Sequence, residues 1–356
     1  MRRIVALAEG NFSIGGAKTA VGMIRYGRDE VVAVLDSTQA GRDVAEVIGV
    51  GAGIPIVGTL AEALPRRPDT LLIGISPRGG ALPPEWRAII LEAIESGLDI
   101  VNGLHYFFGD DPDLARAATQ AGREIWDVRR PKDDLDISHF LPHRPGSVTV
   151  AAVGSDCSTG KMTVMLELER LARQRGLNAT FVATGQTGIM IWGDGVPLDR
   201  VIGDFMAGAM EELVVAACEQ YDWVFVEGQG SIYHPAYSGV TLALVHGALP
   251  DLLVLCHQPS RTQIRGYEID ILPLDQIVRD YEIATGWVKP AKVVGVALNT
   301  YDLSDQQARD AIAEAGRVTG LPVTDPVRFG AEPLLEALLA GAESRVNGPA
   351  SKVGRR

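Results

Sequence analysis

The sequence predicts an α/β protein of two successive units, each organised on a parallel sheet. Three observations carry that expectation. Short apolar strands alternate with amphipathic helices along most of the chain, the pattern of a parallel sheet with right-handed crossovers. The alternation stops once, in RRPKDDLDISHFLPHRPG (129–146), a charged stretch with three prolines and no periodicity, and then resumes. The 356 residues also exceed what a single hydrophobic core ordinarily organises. The expected division is a first domain over 1–130, a linker over 131–146, a second domain over 147–342 and a flexible polar tail over 343–356.

In the first half, the apolar run 3–8 (RIVALA) is followed by a glycine-rich turn, Gly10 to Gly16, and a helix over 17–26. A second strand, 30–35, ends at Asp36; a third, 71–75, stops at Ser76-Pro77-Arg78-Gly79-Gly80. Over 84–96, Trp86, Ile89, Ile90, Ala93 and Ile94 recur with the helical period, and Gly97 stands where a helix C-terminus favours positive φ. Strands over 99–102 and 124–128 flank a helix over 113–121. This half reads as Rossmann-like, but its glycine turn lacks the G-x-G-x-x-G spacing of a dinucleotide fingerprint. Lys18-Thr19 and residues 76–80 are left as places that could receive an anion. Asn102-Gly103-Leu104-His105 lies at a comparable strand end and needs no function.

The second half opens with strand 148–153 and continues with helix 161–175, strand 179–183, helix 199–218 and strand 223–226. Helix 240–246, strands 252–255 and 293–298, and helices 304–319 and 332–339 close it.

Composition narrows the function classes. Lys+Arg 33 against Asp+Glu 45 gives a net charge of −12, spread along the chain, which disfavours nucleic acid and anionic membranes as partners. Cys157, Cys218 and Cys256 form neither a disulfide framework nor a zinc pattern and suit a reducing cytoplasm. The apolar run after Met1-Arg2-Arg3 is too short for a signal sequence, and no stretch reaches the roughly 18 residues of a membrane span. A soluble cytoplasmic homo-oligomer acting on small molecules is expected.

Chemistry concentrates at the first loop of the second domain. In Gly154-Ser155-Asp156-Cys157-Ser158-Thr159-Gly160-Lys161-Met162-Thr163 an apolar strand enters a small-residue loop, then Gly-Lys, then a helix. That is the P-loop layout, in which backbone N–H groups and a helix N-terminus enclose a phosphate and the lysine adds charge. This half is therefore expected to be P-loop NTPase-like. Five residues rather than four separate Gly154 from Gly160, and Met162 stands where Ser or Thr would hold Mg²⁺. Thr163 lies about 100° further round the helix. The plainer alternative is a glycine-rich turn with a solvated lysine. Glu227, ending the buried run Trp223–Val226, has the Walker B position facing a phosphate-bound metal. Glu227 and Thr163 are thus the metal ligands if Mg²⁺ is used. Thr184-Gly185-Gln186-Thr187-Gly188 follows another strand of the same sheet.

With these residues in view, the GSDCSTGKMT loop and VFVEGQGS resemble the dethiobiotin-synthetase branch of P-loop proteins, whose loop also has the extra residue. Over nearly its full length the chain looks like a family long catalogued as a domain of unknown function, whose members are assigned as D-glutamate N-acetyltransferases. The loop, EGQGS, DFMAGAMEE (204–212) and ALNT (297–300) carry that resemblance. It implies acetyl-CoA as cosubstrate, with the loop holding the coenzyme diphosphate. The dethiobiotin-synthetase likeness implies instead an ATP- and Mg²⁺-dependent ligase or kinase acting on a small carboxylate. A nucleotide-binding regulatory protein is the third alternative.

Acetyl transfer to an amine needs a base, oxyanion donors and cations for the substrate carboxylates. His234 and His257 are the candidate bases, each alternatively a plain loop or strand-end histidine. Arg261 and Arg265, four residues apart, would share a face if their segment is helical and could hold the carboxylates. Gln229 and Asp204 are further substrate candidates, the latter alternatively a helix-start residue. Cys157 could carry an acetyl group or be a passive loop residue. Asn299 stands where the dethiobiotin-synthetase branch reads adenine; the alternative is a turn cap. Lys161 is expected to present its amine outward, to solvent or ligand.

Overall fold

The computed structural model describes residues 1–75 and 82–346. The 76–80 candidate and the chain after Val346 lie outside the described residues. Six strands form the first sheet: β1 (Arg3–Leu7), β2 (Glu30–Leu35), β3 (Ile56–Val57), β4 (Thr70–Ile73), β5 (Asp99–Asn102) and β6 (Ile125–Asp127). Their order is β3-β2-β1-β4-β5-β6, parallel at every pairing. The second sheet comprises β7 (Val148–Gly154), β8 (Ala179–Val182), β9 (Trp223–Val226), β10 (Leu252–His257), β11 (Lys292–Leu298) and β12 (Val323–Thr324). It runs β12-β11-β10-β7-β9-β8, again parallel throughout. Helices cover both faces of a parallel sheet, so the central strands read as unbroken apolar runs. Val150 to Val153 and Val224 to Val226 are accordingly buried without alternation.

Two compact units result: residues 1–132 with 185–200, and residues 133–184 with those from 201 onward. The chain thus leaves the second sheet after β8, contributes the helix Gln186–Trp192 to the first unit, and returns. Thr187 Oγ1 lies 2.9 Å from Thr19 Oγ1 on the helix Lys18–Tyr26. Gly103 faces the inserted helix so closely that a Cβ would come within 2.7 Å of Met190 Cε.

Several expected elements change. The TGQTG stretch, for which the sequence shows no helix, starts one, with Gly185 as its N-cap. The helix expected from Asp199 begins at Met206, after two 3₁₀ turns, Leu198–Arg200 and Gly203–Phe205. The last helix runs from Glu332 to Val346, past the expected start of the tail at 343, anchored by buried Leu334, Leu335 and Leu338. The helix Leu274–Gly286 was not anticipated, although its buried Ile277, Tyr281, Ala284 and Thr285 carry the helical period. The linker region is tied down rather than loose. Buried Glu211 accepts hydrogen bonds from Ser138 Oγ (2.9 Å), His139 N (2.7 Å) and Leu141 N (2.8 Å). Those bonds hold the Glu211 carboxyl below its ordinary range although burial pushes it up. Among the described residues no helix is long and apolar enough to cross a membrane.

Candidate functional site

β7 pairs with β10 and β9 at the centre of the second sheet and delivers the loop 155–160 to the sheet's C-terminal edge. Gly160, at φ +100°, is the N-cap of the helix Lys161–Gln174, which has no side-chain cap. Its first amides are therefore available to an anion. Ser158 adopts φ +55°, an uncommon conformation for a residue with a side chain. At Gly154 a Cβ would meet Lys161 Nζ at 2.8 Å and both Asp156 O and Thr159 Oγ1 at 2.9 Å, so only glycine fits.

The lysine does not point outward. Lys161 is only 6% exposed, and its amine donates to Asp156 O (2.8 Å) and Thr159 Oγ1 (3.4 Å). Its stem crosses Gly228, where a Cβ would come within 2.8 Å of Lys161 Cδ and 1.9 Å of Ala152 O. The glycine of EGQGS is thus a close-approach requirement. Glu227, buried at the end of β9, accepts from Thr184 N (3.0 Å), and Gln229 Nε2 donates to Thr184 Oγ1 (3.1 Å).

Asp156 organises the loop. Fully buried, it accepts from Cys157 N (2.7 Å), Arg265 N (2.8 Å) and Arg261 Nη1 (2.8 Å). Arg261 also donates to Cys157 O (2.7 Å) and Gln258 Oε1 (2.7 Å). Its guanidinium is therefore spent on the loop and is not the open carboxylate clamp that the sequence suggested. The segment holding Arg261 and Arg265 is not helical; a bridge between Gln263 and Asp270 makes it a tight turn, because Asp156 takes the Arg265 amide that a helix would use. The side chain of Arg265 is exposed.

The two histidines meet different residues of the loop, His257 at Ser155 and His234 at Asp156 and Cys157. His257 Nδ1 lies 2.8 Å from the hydroxyl of buried Ser155. Burial, helped by Arg261, lowers its pKa to about 4, so the ring is neutral at physiological pH. His234 is buried, stacked on Tyr237 at 4.4 Å and met edge-on by Tyr267 at 5.2 Å. A carboxylate oxygen of Asp156, Cys157 Sγ and a ring nitrogen of His234 lie within 4.8 Å of one another. That donor set fits a metal poorly. Both Asp156 oxygens already accept hydrogen bonds, and His234 Nδ1 accepts from Ala236 N (3.2 Å), which leaves the neutral ring's proton on Nε2. Burial and the Asp156 charge push the Cys157 thiol pKa up, so the lowered value expected of a helix-start cysteine is not found.

One group near the loop was not foreseen. Tyr281 is fully buried; its hydroxyl donates to Gly154 O (2.7 Å) and accepts from Ile232 N (3.2 Å), tying the loop base to the turn that carries His234. Its helical period was the available signal.

The comparisons with known proteins bear on this arrangement. Residues 144–335 match the family model described as a domain of unknown function, DUF1611_C, P-loop domain, and residues 37–131 match DUF1611_N, Rossmann-like domain. Two curated relatives are named D-glutamate N-acetyltransferase. The one from Tritonibacter scottomollicae is 41% identical over 91% of this chain and 94% of its own length. The one from a Pseudoalteromonas species is 35% identical over 79% and 84%. The chain belongs to this family. A crystal structure of a DUF1611 family protein from Anabaena variabilis, 39% identical, matches with a TM-score of 0.90 and covers 96% of this chain and 100% of that one.

The loop 154–163, Glu227, His234, His257, Arg261 and Gln229 lie together at the C-terminal edge of the second sheet. Asn299 joins them: its Nδ2 lies 3.9 Å from where a Gly160 Cβ would be. Met162 is buried and Thr163 half-buried on the helix's first turn. Asp204 is different. It is exposed in a 3₁₀ turn before the helix, with no hydrogen bond or ion pair to the loop among the described residues.

Proposed function

We propose that the chain transfers the acetyl group of acetyl-CoA to the amine of D-glutamate, with the coenzyme phosphates at the loop 154–163. Family membership supports the reaction, since the relatives above carry that activity in their names. The observation that carries the loop's role is its donor set. Lys161, Arg261 and Arg265 outnumber Asp156 and Glu227 beside an uncapped helix start, and a buried Met162 occupies the place of a metal-binding hydroxyl. Such a loop suits a phosphate held in place better than one transferred through Mg²⁺.

In the reaction the substrate nitrogen, having lost a proton, attacks the thioester carbon; the C–S bond breaks, and coenzyme A leaves as the thiol after taking up a proton. His257, neutral throughout the working range, is the proton acceptor in this reading. His234, with its neutral-ring proton on Nε2, is the donor to the developing oxyanion. Arg265 is the open cation for a substrate carboxylate, since Arg261 is engaged. Holding both carboxylates directs the amine of only one enantiomer at the thioester, and misplacement costs on the order of 100-fold in rate.

A thiol-release assay with both enantiomers tests the reading. Coenzyme A release with D-glutamate, a poor rate with L-glutamate and full activity in EDTA are expected. ATP consumption restored by Mg²⁺, with no thiol release, would establish the ligase or kinase alternative instead.

A further inference from the structure

The first unit carries a cationic cluster that acetyl transfer at the P-loop leaves unused. It lies where β5 and β6 end, the edge at which open parallel sheets take ligands. Arg129 follows β6 and is only 5% exposed. Its Nε donates to Gly103 O (2.7 Å) and its Nη1 pairs with Asp199, while Nη2 donates to no described acceptor. Among the described residues no fully buried side-chain nitrogen lacks a partner, so this Nη2 keeps some contact with solvent. A nearly buried guanidinium that turns one unpaired edge outward is set up for an anion, because Arg presents its donors as a planar fork.

Two further groups frame that edge. Arg200, closing the inserted segment, lies over the Phe107 ring at 4.7 Å and has no carboxylate partner among the described residues. Arg130 stacks on the same ring at 4.4 Å but is neutralised by Asp110 (2.7 Å) and Asp127 (3.8 Å). His105 Nε2 stands 3.8 Å from Asp199, beyond hydrogen-bond range. The loop carrying His105 and Phe107 is tied down by hydrogen bonds. Asn102 Nδ2 donates to Tyr106 O (2.8 Å) and Asp127 Oδ1 (2.7 Å), and Asp127 accepts from Phe108 N and Gly109 N, both at 2.9 Å. Arg129 pairs with Asp199, while Arg200, held over Phe107 and near enough to His105 to act on its charge, has no carboxylate of its own among the described residues.

We propose that Arg129 Nη2, Arg200 and His105 form a binding site for a small oxyanion, a carboxylate or a phosphate, in the first unit. The site stands independently of the acetyl-transfer reading. The field there agrees with it: burial, then Arg129, lower the His105 pKa, Asp199 pulls it up and Arg200 again lowers it. An anion beside the ring would reverse the cationic push.

His105 therefore reports occupancy. Its ring proton resonance is followed through a pH titration of the full chain with no additive, with inorganic phosphate, with succinate and with D-glutamate. The expected result is a rise of about half a pH unit or more with at least one of the three anions. Which anion acts identifies the carboxylate or phosphate source. The rise should persist in Lys161→Ala, which disables the P-loop, survive in part in Arg200→Lys and vanish in Arg200→Ala. No response to any of the three anions, loss of the response in Lys161→Ala, or an undiminished response in Arg200→Ala would overturn the proposal.

Discussion

The first loops of the two sheets are built alike and closed differently. Each follows a central strand, β1 or β7, and precedes a helix that begins with a lysine, Lys18 or Lys161. Each is held by a fully buried aspartate. In the first unit Asp36, at the end of β2, accepts from Gly10 N (3.1 Å), Phe12 N (3.0 Å), Thr38 N (3.0 Å) and Thr38 Oγ1 (2.6 Å). The loop's amides are consumed by the protein's own carboxylate, where a dinucleotide site would keep the acid for a ribose. In the second unit Asp156 takes the Cys157 amide, and a guanidinium offsets its charge. The helix start and the folded-in lysine beyond it keep positive character. What separates the two loops is which donors the internal carboxylate uses up.

The largest expected effect sharpens the contrast between the lysines. Lys161→Ala should lower kcat/KM by on the order of 100-fold and weaken coenzyme A binding in calorimetry, whereas exposed Lys18→Ala should leave both unchanged. Equal responses would erase the distinction. Next come the aspartates. Asp156→Asn leaves the Arg261 charge without its carboxylate partner and should cost about 3 kcal/mol in urea unfolding. Asp36→Asn loses charge-assisted bonds only and should cost about 2 kcal/mol.

Asp36 also predicts a pH dependence. Burial pushes the Asp36 carboxyl up, but the bonds from Thr38, Phe12 and Gly10 outweigh it and hold the value below 3.8. A lowered folded value means the stabilisation is whole above 3.8 and is lost as pH falls through the folded value. Asp36→Asn should therefore flatten the acid limb of the stability profile; an unaltered limb would show that Asp36 is not the group responsible. The smallest effect is expected at Tyr281→Phe. Loss of its bonds to Gly154 and Ile232 should cost about 1 kcal/mol and raise the KM for acetyl-CoA a few-fold at nearly constant kcat.

The central strands were legible because burial on both faces writes them as apolar runs, and the P-loop because its glycines and lysine are contiguous. The two-residue strands β3 and β12 are too short to leave a periodic signal. The inserted helix Gln186–Trp192 was hidden by the glycines at either end, and its first one serves as the N-cap. At the site, residue types and neighbourhood were readable, but partners were not. Arg261 reads as a free cation until Asp156, 105 positions away in sequence, is found beneath it.

Sequence alone therefore determined the α/β class, the two parallel sheets and the place of the phosphate loop, because these rest on local periodicity and contiguous motifs. Only the tertiary structure decided that Lys161 folds inward, that Arg261 serves Asp156, and that residues 185–200 belong to the first unit. The last two depend on groups that pair across long sequence separations, and the first on how the loop's own oxygens turn toward the amine. The pairing satisfies buried groups that water can no longer reach.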